Sequence, residues 1–256
     1  MMPPRRPTSA FVLGAGLGSR MRPLTEQIPK PMVSLAGRAL IDHVLDRLAA
    51  AGVTHAVVNV HYLADALIKH LAARTAPQIT ISDERDGLLD TGGGVARALH
   101  QFHDQPFFIH NSDSVWIEHG LSVLESMISA WDDARMDSLM LIAPASASLG
   151  YDGRGDFAMQ TGGMLVRAGR DTTEPYVFCG VSIAHPRLFD NAPKGPFSLN
   201  KLWDVAIARQ KVFGIDLNGL WMHVGTPTAL SDAERAMIAA GKTREPSRIA
   251  DGEAKA

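Results

Sequence analysis

The chain has 256 residues, of which 46% are hydrophobic, and a formal net charge of -2. This length can bury one substantial core, and a single domain is the default expectation. The near-neutral charge argues against a nucleic-acid binder, which would carry a basic excess or a basic stripe. Any strongly anionic ligand must therefore meet a local concentration of cations. The single cysteine, Cys179, excludes an intramolecular disulfide.

The two ends of the chain are polar and lack periodicity. The start is basic and rich in proline, and the apolar run behind it, 10–13, is too short for the core of a signal peptide. No run approaches the length of a membrane-spanning helix. We therefore expect a cytoplasmic protein with no membrane partner and with flexible tails at 1–7 and 241–256.

Apolar runs and amphipathic stretches alternate through the first half of the chain. The runs at 10–13 and 55–62 are typical of buried strands, whereas 39–50 has its apolar residues at helical spacing. This alternation predicts a mostly parallel sheet with helices on both faces. The other elements predicted in this half are strands at 79–82, 106–110 and 138–143 and helices at 64–73, 95–101 and 120–131.

Beyond residue 144 the predicted elements become shorter and richer in strands. Residues 157–166 predict a hairpin around Thr161-Gly162-Gly163, followed by a strand over 176–184. Proline at position 227 suits the first turn of a closing helix over 227–240. We expect one α/β domain, Rossmann-like, over 8–240, with a small β-rich insertion. A helix at 199–209 and two short strands within 212–224, broken near Asn218-Gly219, complete the order.

The most informative stretch follows the first predicted strand and reads L-G-A-G-L-G-S-R-M-R-P-L-T-E-Q-I-P-K-P-M over 13–32. Glycine at 14, 16 and 18 lets backbone N–H groups approach phosphate oxygens without a Cβ in the way. Glycine-rich turns after strands are common, so the glycines alone do not identify a site.

Prolines in this segment exclude two common nucleotide-binding motifs. In a Rossmann dinucleotide site a helix starts inside the glycine motif. Here Pro23, Pro29 and Pro31 fall where that helix would run, and proline inside a helix costs about 3 kcal/mol. The segment also lacks the lysine and serine or threonine that end a P-loop. It must therefore be a long loop.

The cations on this loop suit a triphosphate. Arginine offers a planar fork to two phosphate oxygens, and lysine offers a compact charge. Arg20 lies beside the glycines and Lys30 is held between two prolines, so we favour binding roles for both. For Arg22, a phosphate contact and an ordinary solvated surface position stay equally open.

The combination G-A-G-x-G-S-R-M-R-P-L-T with P-K-P downstream resembles the signature of the sugar-1-phosphate nucleotidyltransferases. The similarity covers nearly the whole of 10–240 and includes A-G-V-T-H-A-V-V-N-V at 51–60, N-S-D-S at 111–114 and W-M-H-V-G-T-P at 221–227. It implies a GT-A-like fold with a nucleotide half, 8–143, and a sugar half, 144–240. L-D-T-G-G-G-V at 89–95, G-R-G-D-F at 153–157 and F-C-G-V-S-I-A-H-P at 178–186 most resemble the N-acetylmuramate 1-phosphate uridylyltransferases of bacterial peptidoglycan recycling.

In this family a sugar-phosphate oxygen displaces pyrophosphate from the α-phosphorus of a nucleoside triphosphate. Preorganised cations and Mg²⁺ offset the repulsion between the two anionic reactants. The resemblance implies UTP, or another nucleoside triphosphate, and a sugar 1-phosphate such as N-acetylmuramic acid 1-phosphate as substrates. It places the triphosphate on Gly14, Ala15, Gly16 and Gly18, the β- and γ-phosphates on the catalytic residue Arg20, and the α-phosphate and sugar phosphate on the catalytic residue Lys30.

A magnesium site is implied at two positions. Asp113 ends an apolar strand, where α/β sheets place their ligands, and Mg²⁺ prefers oxygen donors. His223 stands where relatives carry a second acidic metal ligand, and imidazole suits Mg²⁺ poorly. Four outcomes stay open: Asp113 alone holds the ion, another carboxylate such as Asp156 substitutes, catalysis is reduced, or His223 binds phosphate instead.

The base and the sugar have weaker signals. A carboxylate at Glu84 can accept the N3–H of uracil, and Gly92 and Gly93 can admit a flat ring, although guanine could also bind such a carboxylate. Glu84 as an exposed strand-end residue is an equally open interpretation. For the sugar, the expected contacts are Asn111, Asp156 and Gly180.

Other functions stay open. A guanylyl- or thymidylyltransferase for another hexose or heptose 1-phosphate would fit the same family signature. A nucleotide-sugar-binding regulatory protein with weak catalysis is the alternative from a different class, and the histidine at 223 permits it. We expect a monomer or small homo-oligomer, with no appended acyltransferase domain and no nucleic-acid partner.

Overall fold

The computed structural model describes residues 5–241, and most of the expected tails, 1–4 and 242–256, lies outside them. The part of the first tail that is described contacts the domain. Arg6 Nη2 donates to the carbonyl of Ala51 at 2.8 Å and pairs with Glu125 at 2.5 Å. Pro7 is buried.

The elements follow the expected alternation in the first half of the chain and become strand-rich in the second. The helices are α1 (Leu40–Ala50), α2 (Ala64–Leu71), α3 (Asp90–Ala98), α4 (Val123–Ala130), α5 (Asn200–Ala208) and α6 (Pro227–Ala239). The strands are β1 (Ser9–Leu13), β2 (Ser34–Leu35), β3 (Arg38–Ala39), β4 (His55–Val60), β5 (Gln78–Asp83), β6 (Phe107–Asn111), β7 (Ser114–Glu118), β8 (Ser138–Pro144), β9 (Phe157–Met159), β10 (Leu165–Arg167), β11 (Tyr176–Ala184), β12 (Val212–Asp216) and β13 (Gly219–His223).

A nine-stranded sheet organises the molecule. Its path runs β10-β9-β11-β6-β1-β4-β5, with β8 beside β11 and β12 beside β8. The pairs of β1 with β4 and β6, of β4 with β5 and of β12 with β8 are parallel, while β11 runs antiparallel to its neighbours. The fold is therefore the α/β sheet that the strand–helix alternation predicts. The carboxyl ends of β1, β4 and β6 meet at one edge, where such sheets place ligands.

Helices cover both faces of this sheet, as predicted. One buried cluster packs α1, α2 and α4 on one face through residues such as Leu45, Leu67 and Met127. A second packs α3 and α5 on the other face through Val95 and Trp203. A third, smaller cluster packs α6 and the loop after β1 against the two-stranded sheet of β7 and β13.

Helix α3 and strand β7 differ from the prediction, and the two-residue strands β2 and β3 were not predicted either. Helix α3 begins at Asp90 rather than at 95, because its glycines are accommodated where the first turn packs closely on the chain near Phe197. Strand β7 was not predicted, since its pairing partner β13 lies about 100 residues further along the chain. The two strands expected within 212–224 are confirmed as β12 and β13, and they join different sheets.

Candidate active site

The loop after β1 follows an irregular path, as its prolines predict. Between β1 and β2 it contains only short 3-10 turns, at Ser19–Met21, Leu24–Glu26 and Lys30–Met32. Gly18 has φ +64, and a Cβ there would lie 3.1 Å from the Cβ of Lys30. The glycine therefore allows the start of the loop to pack directly against the turn that carries the lysine.

Lys30 meets Asp113 at the centre of the site. The lysine Nζ donates to the carboxylate of Asp113, which lies in the short turn between β6 and β7. The side chains are 14% and 21% exposed, so the pair is largely shielded but still open to a cavity. Burial alone would raise the pKa of Asp113, but the positive charge of Lys30 and its hydrogen bond to the carboxylate hold that pKa below its ordinary value. Asp113 is therefore ionised at neutral pH.

His223 lies beside this pair. In the antiparallel pairing of β13 with β7 it is directly opposite Ser114, the residue after Asp113. Burial lowers the pKa of His223, the Asp113 carboxylate opposes that shift, and Arg20 and Lys30 reinforce it. The imidazole is therefore neutral at neutral pH. Its position next to the carboxylate arises from strand pairing between segments that are distant in the sequence.

A cavity of about 240 Å³ opens beside the ion pair, under the glycine-rich loop. One side is formed by the start of that loop and by Lys30, and the floor by the carboxyl ends of β4 and β6. The opposite side is the segment leading into α3. The lining residues are Leu13, Gly14, Ala15, Gly16, Lys30, Pro31, Asn59, Leu88, Asp90, Thr91, Asn111, Ser112 and Asp113.

Glu84 occupies a different position from the expected one. It is fully buried and does not line the cavity. One carboxylate oxygen accepts from Asn59 Nδ2 at 2.8 Å and the other accepts from the backbone N–H of Leu89 at 3.1 Å. Asn59 Oδ1 in turn accepts from the N–H of Gly14 at 2.7 Å. Glu84 therefore joins the glycine loop, β4 and the start of α3 behind the cavity wall.

Gly92 and Gly93 also lie away from the cavity surface. Their N–H groups donate to the carbonyl of Phe197 at 2.8 and 3.1 Å. A Cβ at Gly92 would lie 2.3 Å from the Phe197 ring, and one at Gly93 would lie 2.6 Å from the carbonyl oxygen of Gly195. These glycines are needed for close packing of α3, and the residues that face the cavity from this side are Leu88, Asp90 and Thr91.

Arg20 is exposed at the rim of the site. No hydrogen bond or ion pair of its guanidinium occurs among the described residues, and it is close enough to His223 to influence the pKa of the imidazole. An unpaired guanidinium at this place is available to an anionic ligand. Arg22 is exposed as well, and neither arginine is among the residues that line the two cavities.

A second cavity, of about 220 Å³, adjoins the first and shares Asn111 with it. Asp156 lines it, although one of its oxygens already accepts from the N–H of Phe178 at 3.0 Å. Gly180 has φ +78, and a Cβ there would crowd Asn111 Nδ2 at 3.0 Å and Ser114. The glycine thus allows β11 to pass closely beside the asparagine amide, but Gly180 itself is not among the residues that line the cavity. The other lining residues are Tyr151, Phe157, Arg167, Val177, Phe178, Asn200, Trp203, Trp221 and His223.

Several lining residues were not anticipated from the sequence. Asn59 had a signal, because it is a polar residue near the end of an otherwise apolar strand. Asp90 had another, because it opens the D-T-G-G-G stretch that was noted only for its glycines. In the second cavity Asn111, Asp156 and His223 were predicted as site residues. Tyr151, Arg167 and its remaining members had no signal, since they reach it from elements far apart in the chain.

The donor set fits a magnesium ion that is completed by substrate. Across residues 5–241, no group of three or more His, Cys, Asp or Glu side chains is arranged to hold a metal by itself. Asp113 nevertheless presents an ionised carboxylate to the cavity. Mg²⁺ commonly binds through one or two carboxylates plus substrate phosphates and water. A single aspartate is therefore compatible with the ion.

Two cavities that share Asn111, one of them lined by a glycine-rich loop and by an ion-paired lysine and aspartate, are suited to an enzyme that brings two substrates together. Residues 9–151 match the nucleotidyl transferase family, and the chain belongs to that family. This confirms the predicted enzyme class. No helix within residues 5–241 has the length and apolar character needed to cross a bilayer.

Within the family, the chain is similar to two uridylyltransferases. The chain is 47% identical over 232 residues to the N-acetylmuramate alpha-1-phosphate uridylyltransferase of Caulobacter vibrioides, covering 89% of this chain and 96% of that protein. Identity to the protein of the same name from Neisseria meningitidis is 33% over 233 residues, with coverage of 88% and 96%. The inositol-1-phosphate CTP transferase of T. maritima has the same fold, with a TM-score of 0.74, 18% identity and coverage of 94% and 99%.

Proposed function

We propose that this protein transfers UMP from UTP to N-acetylmuramate 1-phosphate, giving UDP-N-acetylmuramate and pyrophosphate. The observation that carries the proposal is the Lys30–Asp113 pair, which lies beside the nucleotide-sized cavity where that cavity meets the second one at Asn111. The two similar uridylyltransferases support the choice of substrates. A reaction that consumes UTP also favours the cytoplasm.

The first cavity is assigned to the nucleotide and the second to the sugar. The triphosphate is assigned to the backbone at Gly14, Ala15 and Gly16, which line this cavity, and at Gly18 further along the loop. The exposed Arg20 is assigned to its β- and γ-phosphates. A phosphate oxygen of the sugar 1-phosphate attacks the α-phosphorus, and the bond from that phosphorus to the bridging oxygen breaks. Pyrophosphate leaves with the bonding electrons.

Lys30 provides positive charge where the two substrates meet. Two anionic phosphates must approach each other there, and negative charge grows on the departing pyrophosphate. A preorganised ammonium ion offsets both effects in a shielded site. In the absence of substrate this charge is balanced by Asp113.

Asp113 is the proposed Mg²⁺ ligand. When bound, the ion would neutralise phosphate charge and help to align the reacting groups. Because position 223 is a histidine, Asp113 alone supplies a carboxylate to the ion. The neutral imidazole of His223 can instead donate a hydrogen bond to a phosphate oxygen. The oligomeric state stays a prediction.

The sugar is placed among Asn111, Asp156 and Gly180, as the resemblance implies. N-acetylmuramate differs from N-acetylglucosamine by a lactyl ether that ends in a carboxylate. Arg167 lines the second cavity, with its guanidinium 4.8 Å above the Phe157 ring and bonded to Asp204 at 2.7 Å. We assign the carboxylate to this arginine, because it is a cation in a wall that is otherwise largely aromatic and amide.

Pyrophosphate release with Mg²⁺ tests the function. Purified protein is assayed with UTP, TTP, CTP and GTP against the 1-phosphates of N-acetylmuramate, N-acetylglucosamine, glucose and mannose. We expect the highest kcat/KM with UTP and N-acetylmuramate 1-phosphate. A clear preference for GTP or TTP with another sugar would assign the family alternative instead. Tight binding of UDP-sugars without turnover of any pair would indicate the regulatory protein.

Arg167→Met tests whether this arginine recognises the lactyl carboxylate or only maintains the general activity of the protein. The variant should lose about tenfold or more in kcat/KM for N-acetylmuramate 1-phosphate, because a charge-assisted hydrogen bond is removed. It should change little for N-acetylglucosamine 1-phosphate, which lacks the carboxylate. Arg209→Met, at an exposed position outside this cavity, is the matched control. Equal losses with both sugars would contradict the assignment to Arg167.

A further inference from the structure

The nucleotide cavity has two chemically different ends. Lys30 and Asp113 line one end, close to Asn111, which the second cavity shares. Leu88, Asp90 and Thr91 border the other side, on the segment that enters α3. This side is where a base would lie if the triphosphate occupies the glycine loop.

Most polar side chains near this end are already committed to the fold. Both oxygens of Glu84 accept hydrogen bonds behind the wall, and Asn59 uses its amide oxygen for Gly14 and its amide nitrogen for Glu84. The Thr91 hydroxyl accepts from the backbone N–H of Leu199 at 2.9 Å. These groups shape the cavity, but their acceptor capacity is largely used.

Asp90 differs from them. Its side chain is exposed to the cavity, and Oδ1 accepts from the N–H of Thr91 at 2.6 Å. Within the described part of the chain, no hydrogen bond reaches its other oxygen, Oδ2. One carboxylate oxygen is thus held by the backbone while the other remains available to a ligand.

The backbone at Asp90 is also unusual. Its φ is +59, in the left-handed region, which non-glycine residues adopt rarely, although aspartate does so more often than most. Glycine would fit this conformation without strain. A carboxylate kept at such a position, on the rim of a ligand cavity, points to a role for its side chain.

We propose that Asp90 determines which base the protein accepts, with its free carboxylate oxygen accepting the N3–H of uracil. Cytosine has no hydrogen on N3, and its lone pair would face the carboxylate, so CTP is rejected. Half-exposed Leu88, in the same wall, offers an apolar surface for the flat ring. This inference rests on the proposed function, because it names the group that selects UTP in that reaction.

Two substitutions at Asp90 test the role of its carboxylate without disturbing the left-handed backbone conformation. Asp90→Gly removes the carboxylate and suits the observed φ, so the fold should be retained. Asp90→Asn keeps the size and tolerates the same backbone region, and its amide can rotate to donate to cytosine N3. Asp86→Asn is the matched control, an exposed aspartate four residues earlier that does not line the cavity.

The test measures discrimination rather than activity alone. For each variant, kcat/KM is determined with UTP and CTP, and the affinities of UMP and CMP are measured by calorimetry without the sugar substrate. Asp90→Gly should lower the UTP/CTP ratio about tenfold to a hundredfold, since a hydrogen bond to a charged group is lost. Asp90→Asn should lower it at least as much by improving CTP. Asp86→Asn should leave it unchanged.

The outcomes also keep this inference distinct from the proposed function. Wild-type protein that does not use UTP with any sugar 1-phosphate would overturn the function itself. Wild-type protein that prefers UTP while both Asp90 variants keep the same UTP/CTP and UMP/CMP ratios would overturn the role of Asp90 alone. If Asp90→Gly fails to fold, the ratio in Asp90→Asn decides.

Discussion

Lys30 and Asp113 are 83 residues apart in the chain, yet their side chains form an ion pair. The lysine is held in a turn between two buried prolines, and the aspartate in a turn between β6 and β7. The pair lines the first cavity close to Asn111, which both cavities share, and it holds two opposite charges that phosphates and a metal ion would separate.

Removing the lysine charge should affect catalysis more than folding. We expect Lys30→Ala to lower kcat by about 10²- to 10³-fold, the range found when a preorganised electrostatic group is deleted. The free energy of unfolding should fall by less than about 2 kcal/mol, because the cavity lets water reach Asp113. Pyrophosphate release and urea unfolding measure the two quantities, with exposed Lys69→Ala as the control. Parallel losses in rate and stability would show that Lys30 is mainly structural.

Restoring a carboxylate beside Asp113 should change the response to magnesium. In His223→Asp a second oxygen donor replaces a poor Mg²⁺ ligand, so half-saturation should occur at a lower Mg²⁺ concentration. The two like charges should make the metal-free protein slightly less stable. Titration of activity with Mg²⁺ checks the first effect, and exposed His119→Asp is the control. An unchanged Mg²⁺ dependence would mean that position 223 does not contact the ion.

Two glycines of the loop should respond differently to alanine. A Cβ at Gly14 would lie 2.8 Å from the carbonyl oxygen of Asn59, whereas a Cβ at Gly16 meets nothing within 4 Å. Gly14→Ala should therefore lower the unfolding free energy by about 1–3 kcal/mol. Gly16→Ala should leave stability unchanged but raise the KM for UTP, because the methyl group enters space next to the nucleotide. Normal nucleotide binding by Gly16→Ala would place the triphosphate elsewhere.

Glu84 should act as a support for the cavity rather than as a contact to the base. Glu84→Gln replaces one acceptor by a donor, so either Asn59 Nδ2 or the N–H of Leu89 loses its partner. A buried unsatisfied group costs about 1–3 kcal/mol, and we expect that loss in urea unfolding. Because the hydrogen bonds of Glu84 to Asn59 and Leu89 hold both sides of the cavity, the KM for every nucleotide should rise. The ratio of kcat/KM for UTP to that for CTP should be unchanged. A base-selective effect would return Glu84 to the role expected from the sequence. Exposed Glu174→Gln is the control.

His110 should make stability depend on pH. It is fully buried next to Trp116, its Nδ1 donates to the carbonyl of Asn111 at 2.8 Å, and its Nε2 has no partner among the described residues. Burial lowers the pKa of His110 to about 4. The unfolded chain, with an ordinary histidine pKa of about 6.5, binds the proton first as pH falls.

The sign of this effect follows from the lowered pKa. The free energy of unfolding should have its full value above about pH 6.5. It should fall by at most about 3 kcal/mol as the pH is lowered to about 4. His110→Phe keeps an aromatic ring against Trp116 but cannot titrate. Its unfolding free energy should therefore be flatter over this interval than that of the wild type, as measured by urea unfolding at several pH values. Identical slopes for the two proteins would contradict the assignment to His110.

The sequence predicted correctly those features that depend on residues close together in the chain. The prolines at 23, 29 and 31 excluded a helix and predicted the irregular loop that is observed. The hydrophobic periodicity located most strands and helices and hence the α/β sheet. Asp113 follows a strongly apolar strand, as expected, at the carboxyl end of the sheet where α/β folds usually place their ligands.

Residues whose surroundings come from distant segments were harder to interpret. Glu84 looked like a polar residue at a strand end, equally suited to a base or to solvent, but its burial depends on Asn59 and on the turn at Leu89. Gly92 and Gly93 looked like a platform for a ring, but Phe197 takes that space. Neither neighbour can be inferred from sequence spacing.

By itself, then, the sequence determined the order of elements, the shape of the loop after β1 and the family of the protein. These depend on backbone restrictions and on hydrophobic periods that act within a few residues. Only the tertiary structure decided that Lys30 faces Asp113, that His223 lies opposite Ser114, and that Asp90 rather than Glu84 is open to a ligand. Contact, burial and the resulting shifts in pKa depend on which distant segments pack together, and no local pattern encodes that choice.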